Sequence, residues 1–441
     1  MPSIEVSVLQ VTVLRRGALR TLGALAALLL SGPAGAAEGA APATPPGATL
    51  ESLLELARER HPELRAMQFE AEAAAQRVAP AGALPDPMLN TELRDVTNEA
   101  SGGSFNLLPS RVGSTRYQFR QTFPAWGRRD AKRDAAQANA DEAAYRASAT
   151  WTELALRVKT AFARWQQVHA ALEQSREILA LTQRFEAVAQ VRYASGLAPQ
   201  QDAIRAQVER TNVTTEIVLL EAELATTRVR INGLLARTAD APLAPPRADA
   251  PLSALAQLDA VGLRERVLAR NPQLAAEDAR VRAAEKNKDV VWSNRYPEFT
   301  FGAAPIQTRN RIGEWELMFE INIPLQQDTR RAGEREALSL LAAAQARKEA
   351  AANDLLAQLG EQLAALEGAR TVELLARTTL LPQATLTQQA ALAGYETGKV
   401  DFATVLEAQR QVRQAQLNLI RTRAEARMRL AEIERLLGEE L

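Results

Sequence analysis

Side chains able to carry out covalent or metal chemistry are scarce in this chain of 441 residues. It has no Cys and only two His, His61 and His169, which lie far apart in the sequence. No Ser-His-Asp set, P-loop or paired-carboxylate signature is present, so we expect no catalytic residue, no metal site and no cofactor. The 53 Lys and Arg residues balance 53 Asp and Glu residues, which disfavours a nucleic-acid partner. The sequence predicts that the protein is not an enzyme.

Charged side chains alternate with apolar ones in two stretches, 114–123 and 314–323. We expect one face of these strands to be apolar and to meet lipid: Tyr117, Phe119, Trp315, Leu317, Phe319 and Ile321. The other face would line a lumen: Arg116, Arg120, Glu314, Glu316 and Glu320. Strands of about ten residues with this alternation are typical of a transmembrane β-barrel. A sheet in a soluble protein with one wet face has the same alternation.

Most of the chain has the 3-4 spacing of coiled-coil helices. One seam contains Trp151, Leu154, Val158, Ala161, Trp165, Val168, Leu172, Ser175 and Leu179. A second contains Ile204, Val208, Thr211, Thr215, Val218, Ala222, Ala225 and Val229. A third steps by seven residues through Val405, Val412, Leu419, Ala426 and Ile433. No Pro lies between Ala125 and Ala198, so one helix of roughly 65 residues would extend about 100 Å.

The chain repeats its own plan. HPELRAM (61–67) resembles NPQLAAE (271–277), and YASGLAPQQDAIRAQ (193–207) resembles YETGKVDFATVLEAQ (395–409). Each half is predicted to contain a helix, a hairpin and long helices. The predicted organisation is a signal peptide at 1–37, a flexible segment at 38–49, a first repeat at 50–236 with a hairpin at about 85–123, a Pro-rich linker at 237–252, and a second repeat at 253–441 with a hairpin at about 297–323.

The start of the chain has the composition of a secretory signal peptide. Three Arg residues, at 15, 16 and 20, precede a short apolar run at 22–30. An A-x-A site at Ala34 and Ala36 predicts cleavage after residue 36 or 37. The protein is therefore expected to be exported. Because four strands cannot close a barrel and lipid tolerates no open sheet edge, we expect several chains to join in a ring above a helical tube.

These features together resemble the TolC family of outer membrane efflux proteins over essentially the whole mature sequence. The resemblance rests on the duplicated plan, on the two Y-x-x-G turns with their downstream A-Q, and on LPDPML at 84–89. LPDPML and HPEL are most similar to outer membrane components of cobalt–zinc–cadmium-type and copper-type metal exporters. The resemblance implies a mainly α fold with a small β part, in which each chain contributes long helices to an α-barrel and four strands to a trimeric 12-stranded β-barrel. It also implies an outer membrane location with a long periplasmic extension, a periplasmic adaptor protein and an inner-membrane pump of the resistance-nodulation-division type.

The resemblance also implies a periplasmic gate at the two turns, formed by Tyr193, Gly196, Asp202, Tyr395, Gly398, Thr404 and Glu407. Tyr395 would close the tunnel by a hydrogen bond to a neighbouring helix near Asp202. Thr404 stands where the protein that gives the family its name has an acid, which weakens the expectation of a tight cation-binding constriction. Asp202 and Glu407 could equally be solvated residues at the start of a helix.

The function implied is a passive conduit for solute in a three-part efflux system, with heavy-metal cations as one candidate solute. A type I secretion channel or a multidrug channel of the same family remains an alternative. An exported coiled-coil scaffold is a second alternative, although a scaffold would not need two amphipathic hairpins.

Overall fold

A computed structural model of the chain describes residues 45–97, 103–247 and 259–441. The predicted signal peptide lies outside these residues, as do residues 38–44 of the predicted flexible segment and residues 248–252 of the predicted linker. The end of the predicted flexible segment is held against the linker by two hydrogen bonds. The Ala244 N–H donates to the Pro46 carbonyl, and the Arg247 N–H donates to the Ala48 carbonyl, both at 3.0 Å.

Both halves contain two helices, a pair of strands and then long helices, but only the first has a short helix before its strands. The first half contains α1 (Leu50–Arg60), α2 (Pro62–Gln76), α3 (Val78–Ala81), β1 (Met88–Arg94), β2 (Ser114–Phe123), α4 (Arg128–Ala194) and α5 (Gln200–Leu234). The second contains α6 (Ala260–Arg270), α7 (Pro272–Ser293), β3 (Glu298–Thr308), β4 (Arg311–Asn322), α8 (Gln327–Leu375), a π turn (Ala376–Leu380), α9 (Leu381–Glu396) and α10 (Phe402–Leu437). The predicted class, long helices with a small β part, is confirmed.

Helix α4 is a single helix of 67 residues, about 100 Å long. The corresponding helix of the second half is interrupted by the π turn, and Pro382 follows at the start of α9. Of the five π-turn residues only Ala376 is buried. Among the described residues, no helix is both long and apolar enough to cross a membrane.

The strands form one antiparallel sheet in the order β1-β2-β3-β4. The helices that adjoin the strands pack in the same order, with α2 and α3 against α4, α4 against α7, and α7 against α8. Each strand therefore connects to the helix beside it, and the sheet passes directly into a wall that is one helix thick. A wall of this kind has two exposed faces and no central core of its own.

The buried apolar residues instead form separate clusters, in which the short helices of each half pack against its long helices. One cluster joins α1 and α2 to the middle of α4 and the end of α5, around Leu53, Phe162, Trp165 and Ile231. A matching cluster joins α6 to α8 and the end of α10, around Val267, Leu359 and Ile433. The predicted seams of α4 and α10 are correct, since Val158, Leu172 and Val405 are buried.

The predicted seam of α5 is wrong within this chain. Ile204, Val208 and Val218 are each about half exposed. Ala203, Ala206 and Val213 are buried in their place. Small side chains let α5 lie close to α4, and the close-packed face is therefore not the one with the largest apolar residues. The larger residues form a second stripe, Ile204, Val208, Val218, Leu219 and Val229, which no other described part of the chain covers.

Candidate functional site

Both Y-x-x-G turns lie where a long helix reverses direction, and both are closed by the same backbone bonds. After α4 the N–H of Leu197 bonds to the Arg192 carbonyl at 2.8 Å, and after α9 the N–H of Lys399 bonds to the Gly394 carbonyl at 2.8 Å. Gly196 and Gly398 have φ values of 71° and 72°, in the left-handed region that favours glycine. The turns therefore bring the ends of α4, α5, α9 and α10 into one tip.

The tip has its own apolar core, which joins all four helices. It contains Ala189, Ala206, Ala391, Tyr395, Phe402, Val405, Leu406 and Ala408, with Phe185 and Val400 packed against them. Four of the eight buried side chains are Ala, which lets the helices approach closely. The turn residues are consequently held relative to each other by packing as well as by charge.

Tyr395 occupies the centre of this tip. Its ring lies 5.5 Å from the Phe402 ring, and the Arg192 guanidinium carbon lies 4.5 Å from its centroid. Burial raises the pKa of the Tyr395 hydroxyl. The hydroxyl is buried and has no hydrogen-bond partner among the described residues. The hydrogen bond predicted for Tyr395 is therefore not formed among the described residues, and Tyr395 instead meets the other half of the chain through the cation–π contact with Arg192.

Asp202 lies in the first turn of α5 and is buried. Burial raises the pKa of its carboxyl, the charge of Asp401 adds to this shift, and Arg205 and Arg192 oppose it. Asp401 comes from the other turn, so the structure brings two acids together here. Sequence comparison of the repeats aligns Thr404 with Asp202 and misses Asp401.

Asp401 is the N-cap of α10. Its Oδ1 accepts hydrogen bonds from the Thr404 N–H at 2.9 Å and the Thr404 hydroxyl at 2.5 Å. These bonds lower the pKa of Asp401. Thr404 therefore completes the cap rather than replacing an acid. The D-x-x-T spacing at 401–404 is an N-cap signal that could have identified the residue from sequence.

The remaining predicted gate residues, Tyr193 and Glu407, are exposed. Tyr193 is 46% exposed, and Glu407 approaches Arg410 at 3.9 Å on the surface of α10. A neighbouring acid, Glu209 of α5, is only 3% exposed. It accepts from Arg410 at 2.6 Å and lies 3.7 Å from Arg413. This half-buried ion pair links α5 to α10, and no sequence pattern distinguishes it from the surface pairs.

At the opposite end of the helices, the sheet keeps its two kinds of residue apart. Tyr117, Phe119, Trp315, Leu317, Phe319 and Ile321 share one face, on which Phe319 lies 5.2 Å from Phe301. Arg116, Arg120, Glu314, Glu316 and Glu320 share the other. There Arg116 pairs with Glu316 at 2.6 Å. Leu317 is 87% exposed, so the apolar face is uncovered in the single chain.

No three His, Asp or Glu side chains in residues 45–97, 103–247 and 259–441 come together as metal ligands. His169 packs edge-on against Trp165 at 4.4 Å. His61 lies at the other end of the first repeat's core, as the residue that precedes α2. The tip reverses the direction of the chain and brings charged side chains together. The sheet has one apolar face and one polar face, as a boundary between lipid and water requires. Neither arrangement provides a nucleophile with its base.

Two parts of the sequence match a known protein family. Residues 53–237 and 263–439 match the family described as outer membrane efflux protein. The cobalt-zinc-cadmium resistance protein CzcC of Cupriavidus metallidurans is 25% identical over 406 residues, which cover 88% of this chain and 90% of CzcC.

Solved structures share the fold at lower identity. The outer-membrane channel OprN superposes with a TM-score of 0.76 at 19% identity, over 88% of this chain and 89% of the OprN chain. The outer membrane protein VceC from Vibrio cholerae superposes with a TM-score of 0.75 at 16% identity, over 89% of this chain and 96% of the VceC chain.

Proposed function

Because the chain belongs to the outer membrane efflux protein family, we propose that it is the outer membrane conduit of a three-part efflux system for divalent heavy-metal cations. The family is one of outer membrane channels, so the predicted location is confirmed and the chain is not an enzyme. The proposal adds three elements: a homotrimer, a periplasmic adaptor with a resistance-nodulation-division pump, and a metal cargo.

The observation that carries the proposal is the continuity of the sheet with the helical wall. Order β1-β2-β3-β4 leaves β1 and β4 as open edges, and backbone groups at an open edge must find partners in a membrane. Other copies of the chain can supply those partners, since β1 of one copy can pair with β4 of the next. Three copies would give twelve strands above a helical tube.

The exposed apolar stripe of α5 supports the same assembly. Val208 is 52% exposed and Val218 is 58% exposed, and apolar side chains repeated along one helix face are normally covered by a partner. A neighbouring copy would cover this stripe below the barrel. The conduit would do no chemistry of its own, and choice of cargo would lie with the pump. The sequence similarity to CzcC favours cobalt, zinc and cadmium as the cargo.

Deletion of the gene tests the function. We expect cells that lack the protein to become sensitive to cobalt, zinc or cadmium salts and to recover with the wild-type gene. Val208→Asp should fail to restore resistance and should lose the trimer in native mass spectrometry, whereas Gln207→Asp, at an exposed polar position beside it, should behave as wild type. Unchanged metal resistance in a strain without another family member would refute the metal-efflux proposal. Sensitivity to drugs alone, or loss of a secreted protein, would instead indicate the multidrug or type I secretion alternatives.

A further inference from the structure

A cavity of about 350 Å³ lies where the sheet meets the helices. Its walls come from the start of α4, the end of α7, the start of α8 and the nearest residues of β3 and β4. Glu298 and Asn322 line it and are paired across β3 and β4. Strand alternation places both on the face that contains Glu316 and Glu320, which is the face with the ion pairs. The cavity is therefore reached from the predicted lumen and not from the lipid.

Two arginines from different helices line this cavity. Arg128 pairs with Glu298 and donates to the Asn294 side-chain oxygen. Arg330 donates to the Asn294 backbone carbonyl. The Nε atoms of both arginines are buried and have no hydrogen-bond partner in the part of the chain that the structure describes. An unsatisfied buried donor costs free energy, but these Nε atoms do not face the open space of the cavity, so a ligand there would meet the terminal guanidinium nitrogens.

The positive and negative side chains that line the cavity are also unbalanced. Its lining contains Arg128, Arg330 and a single carboxylate, Glu298. Arg128 and Arg330 both donate to Asn294, so the two guanidinium groups lie close together and repel each other. Burial lowers the pKa of Arg128, and the charge of Arg330 adds to this shift. Since Glu298 pairs with Arg128, the lining has no carboxylate left for Arg330.

Two helices begin at the edge of this cavity without side-chain caps. Gly127 precedes α4 and Gln326 precedes α8, and neither provides a capping hydrogen bond. Asp259, Asn271 and Asp401 cap α6, α7 and α10, whereas α2, α5 and α9 also begin without a side-chain cap. The acids in the two uncapped first turns, Asp130 and Asp328, do not line the cavity. The partial positive charge of two helix starts adds to that of the arginines.

We propose that this cavity binds one small dissolved oxyanion, such as phosphate or sulfate, per chain. Guanidinium groups present several N–H donors in a plane and match the spaced oxygens of an oxyanion better than a monatomic ion such as chloride. A phospholipid phosphate has the same chemistry, but lipid would approach the opposite face of the sheet.

A bound oxyanion would remove excess positive charge from the passage between the barrel and the helical tube. In a conduit for divalent cations, it would lower the electrostatic barrier at that level. This consequence rests on the proposed function, whereas the binding itself does not.

The test measures phosphate binding to the purified full-length protein in detergent by isothermal titration calorimetry. Wild type should bind phosphate saturably, with one site per chain, and sulfate should compete better than chloride. Arg330→Gln and Arg128→Gln should weaken binding by roughly tenfold or more, since each removes a charged donor. Arg331→Gln and Arg129→Gln, at the neighbouring exposed arginines, should leave it unchanged. Glu298→Gln should strengthen binding, because it removes the carboxylate that competes for Arg128.

The gain expected from Glu298→Gln keeps the test decisive if an arginine variant fails to assemble, because loss of structure does not improve affinity. Absence of phosphate binding by wild type would overturn the proposal. So would equal affinities of Arg330→Gln and wild type, or weaker binding by Glu298→Gln. Binding of short-chain phosphatidylglycerol without binding of phosphate would also overturn it, because the ligand would then be a lipid headgroup. Each outcome is independent of conduction, so failure here leaves the efflux proposal standing.

Discussion

The guanidinium of Arg192, at the end of α4, lies over the ring of Tyr395, at the end of α9, with 4.5 Å between the guanidinium carbon and the ring centroid. The two residues are far apart in the sequence and belong to opposite halves of the chain. Because the Tyr395 hydroxyl has no partner among the described residues, the ring, rather than the hydroxyl, joins the two halves at the tip.

Removal of this contact should open the tip. Arg192→Ala and Tyr395→Ala should each destabilise the closed tip by about 1–2 kcal/mol and raise single-channel conductance in planar bilayers. Tyr395→Phe should behave as wild type because it keeps the ring. The exposed Arg184 of α4 provides the control, as Arg184→Ala. If Tyr395→Phe raised conductance as much as Tyr395→Ala, closure would depend on a hydroxyl bond to a neighbouring copy.

The stability of the tip should depend on pH in two opposite ways. Burial raises the pKa of Asp202 above its ordinary 3.8, so the folded tip binds a proton more tightly than the unfolded chain does. Stability should therefore rise as the pH falls from neutral through that raised pKa. The Thr404 bonds lower the pKa of Asp401 below 3.8, so its contribution is present above 3.8 and is lost as the pH falls through the lowered value.

Amide hydrogen exchange at the tip, corrected for intrinsic rates, measures both effects. Asp202→Asn should abolish the rise in protection on mild acidification, and Asp401→Asn should abolish the loss at lower pH. Unaltered pH dependence in Asp202→Asn would show that another group is responsible for the rise.

Glu209 should contribute more to stability than its exposed neighbour on α10. Its carboxylate is 3% exposed and lies 2.6 Å from Arg410, whereas Glu407 meets the same arginine at 3.9 Å on the surface. Because Arg410 is partly solvated, we expect Glu209→Gln to cost about 1–3 kcal/mol, less than a fully buried pair. Glu407→Gln should cost about 0–0.5 kcal/mol. Urea unfolding of each variant, with an Arg410→Gln double-mutant cycle, makes the comparison; equal costs would contradict it.

The two faces of the sheet should respond differently to a new charge. Leu317→Arg places a guanidinium on the predicted lipid face and should cost about 2–4 kcal/mol near the bilayer midplane. Glu320→Arg places one on the face with the ion pairs and should be tolerated. The measurement is the fraction of heat-modifiable oligomer in the outer membrane. A larger loss for Glu320→Arg would show that the assignment of faces is reversed, and similar losses in both variants would show that the two faces do not differ in their contact with lipid.

The elements were predictable because local periodicity determines them. Alternation located β2 and β4, and the 3-4 spacing of Val158 and Leu172 located the buried seam of α4. The same rule failed in α5, where Ile204 and Val208 are exposed and Ala203 and Ala206 are buried. Periodicity identifies apolar faces, but a helix with two such faces gives no indication of which one its own chain covers. Close approach to α4 requires small residues, and that requirement depends on the tertiary partner.

The tip was predictable only in part for a similar reason. The turn glycines follow from backbone conformation, which short sequences encode. Arg192 and Glu209 were missed because their importance comes from contacts between opposite halves of the chain, at sequence separations near 200 residues. Asp401 was missed because the repeats were aligned by position, although the acid of the second turn lies three residues earlier and caps its own helix.

The π turn at residues 376–380 makes the two long rods mechanically unequal. An α-helix resists bending through its uninterrupted ladder of backbone bonds, and α4 keeps that ladder over 67 residues. The ladder of the other rod is widened at Ala376–Leu380, and Pro382 removes one further donor just beyond it. A sideways load applied at the tip would therefore flex the second rod at this level and leave the first straight. Of the two rods, the one in the second repeat would therefore be the more compliant, about four helical turns from the second reversal.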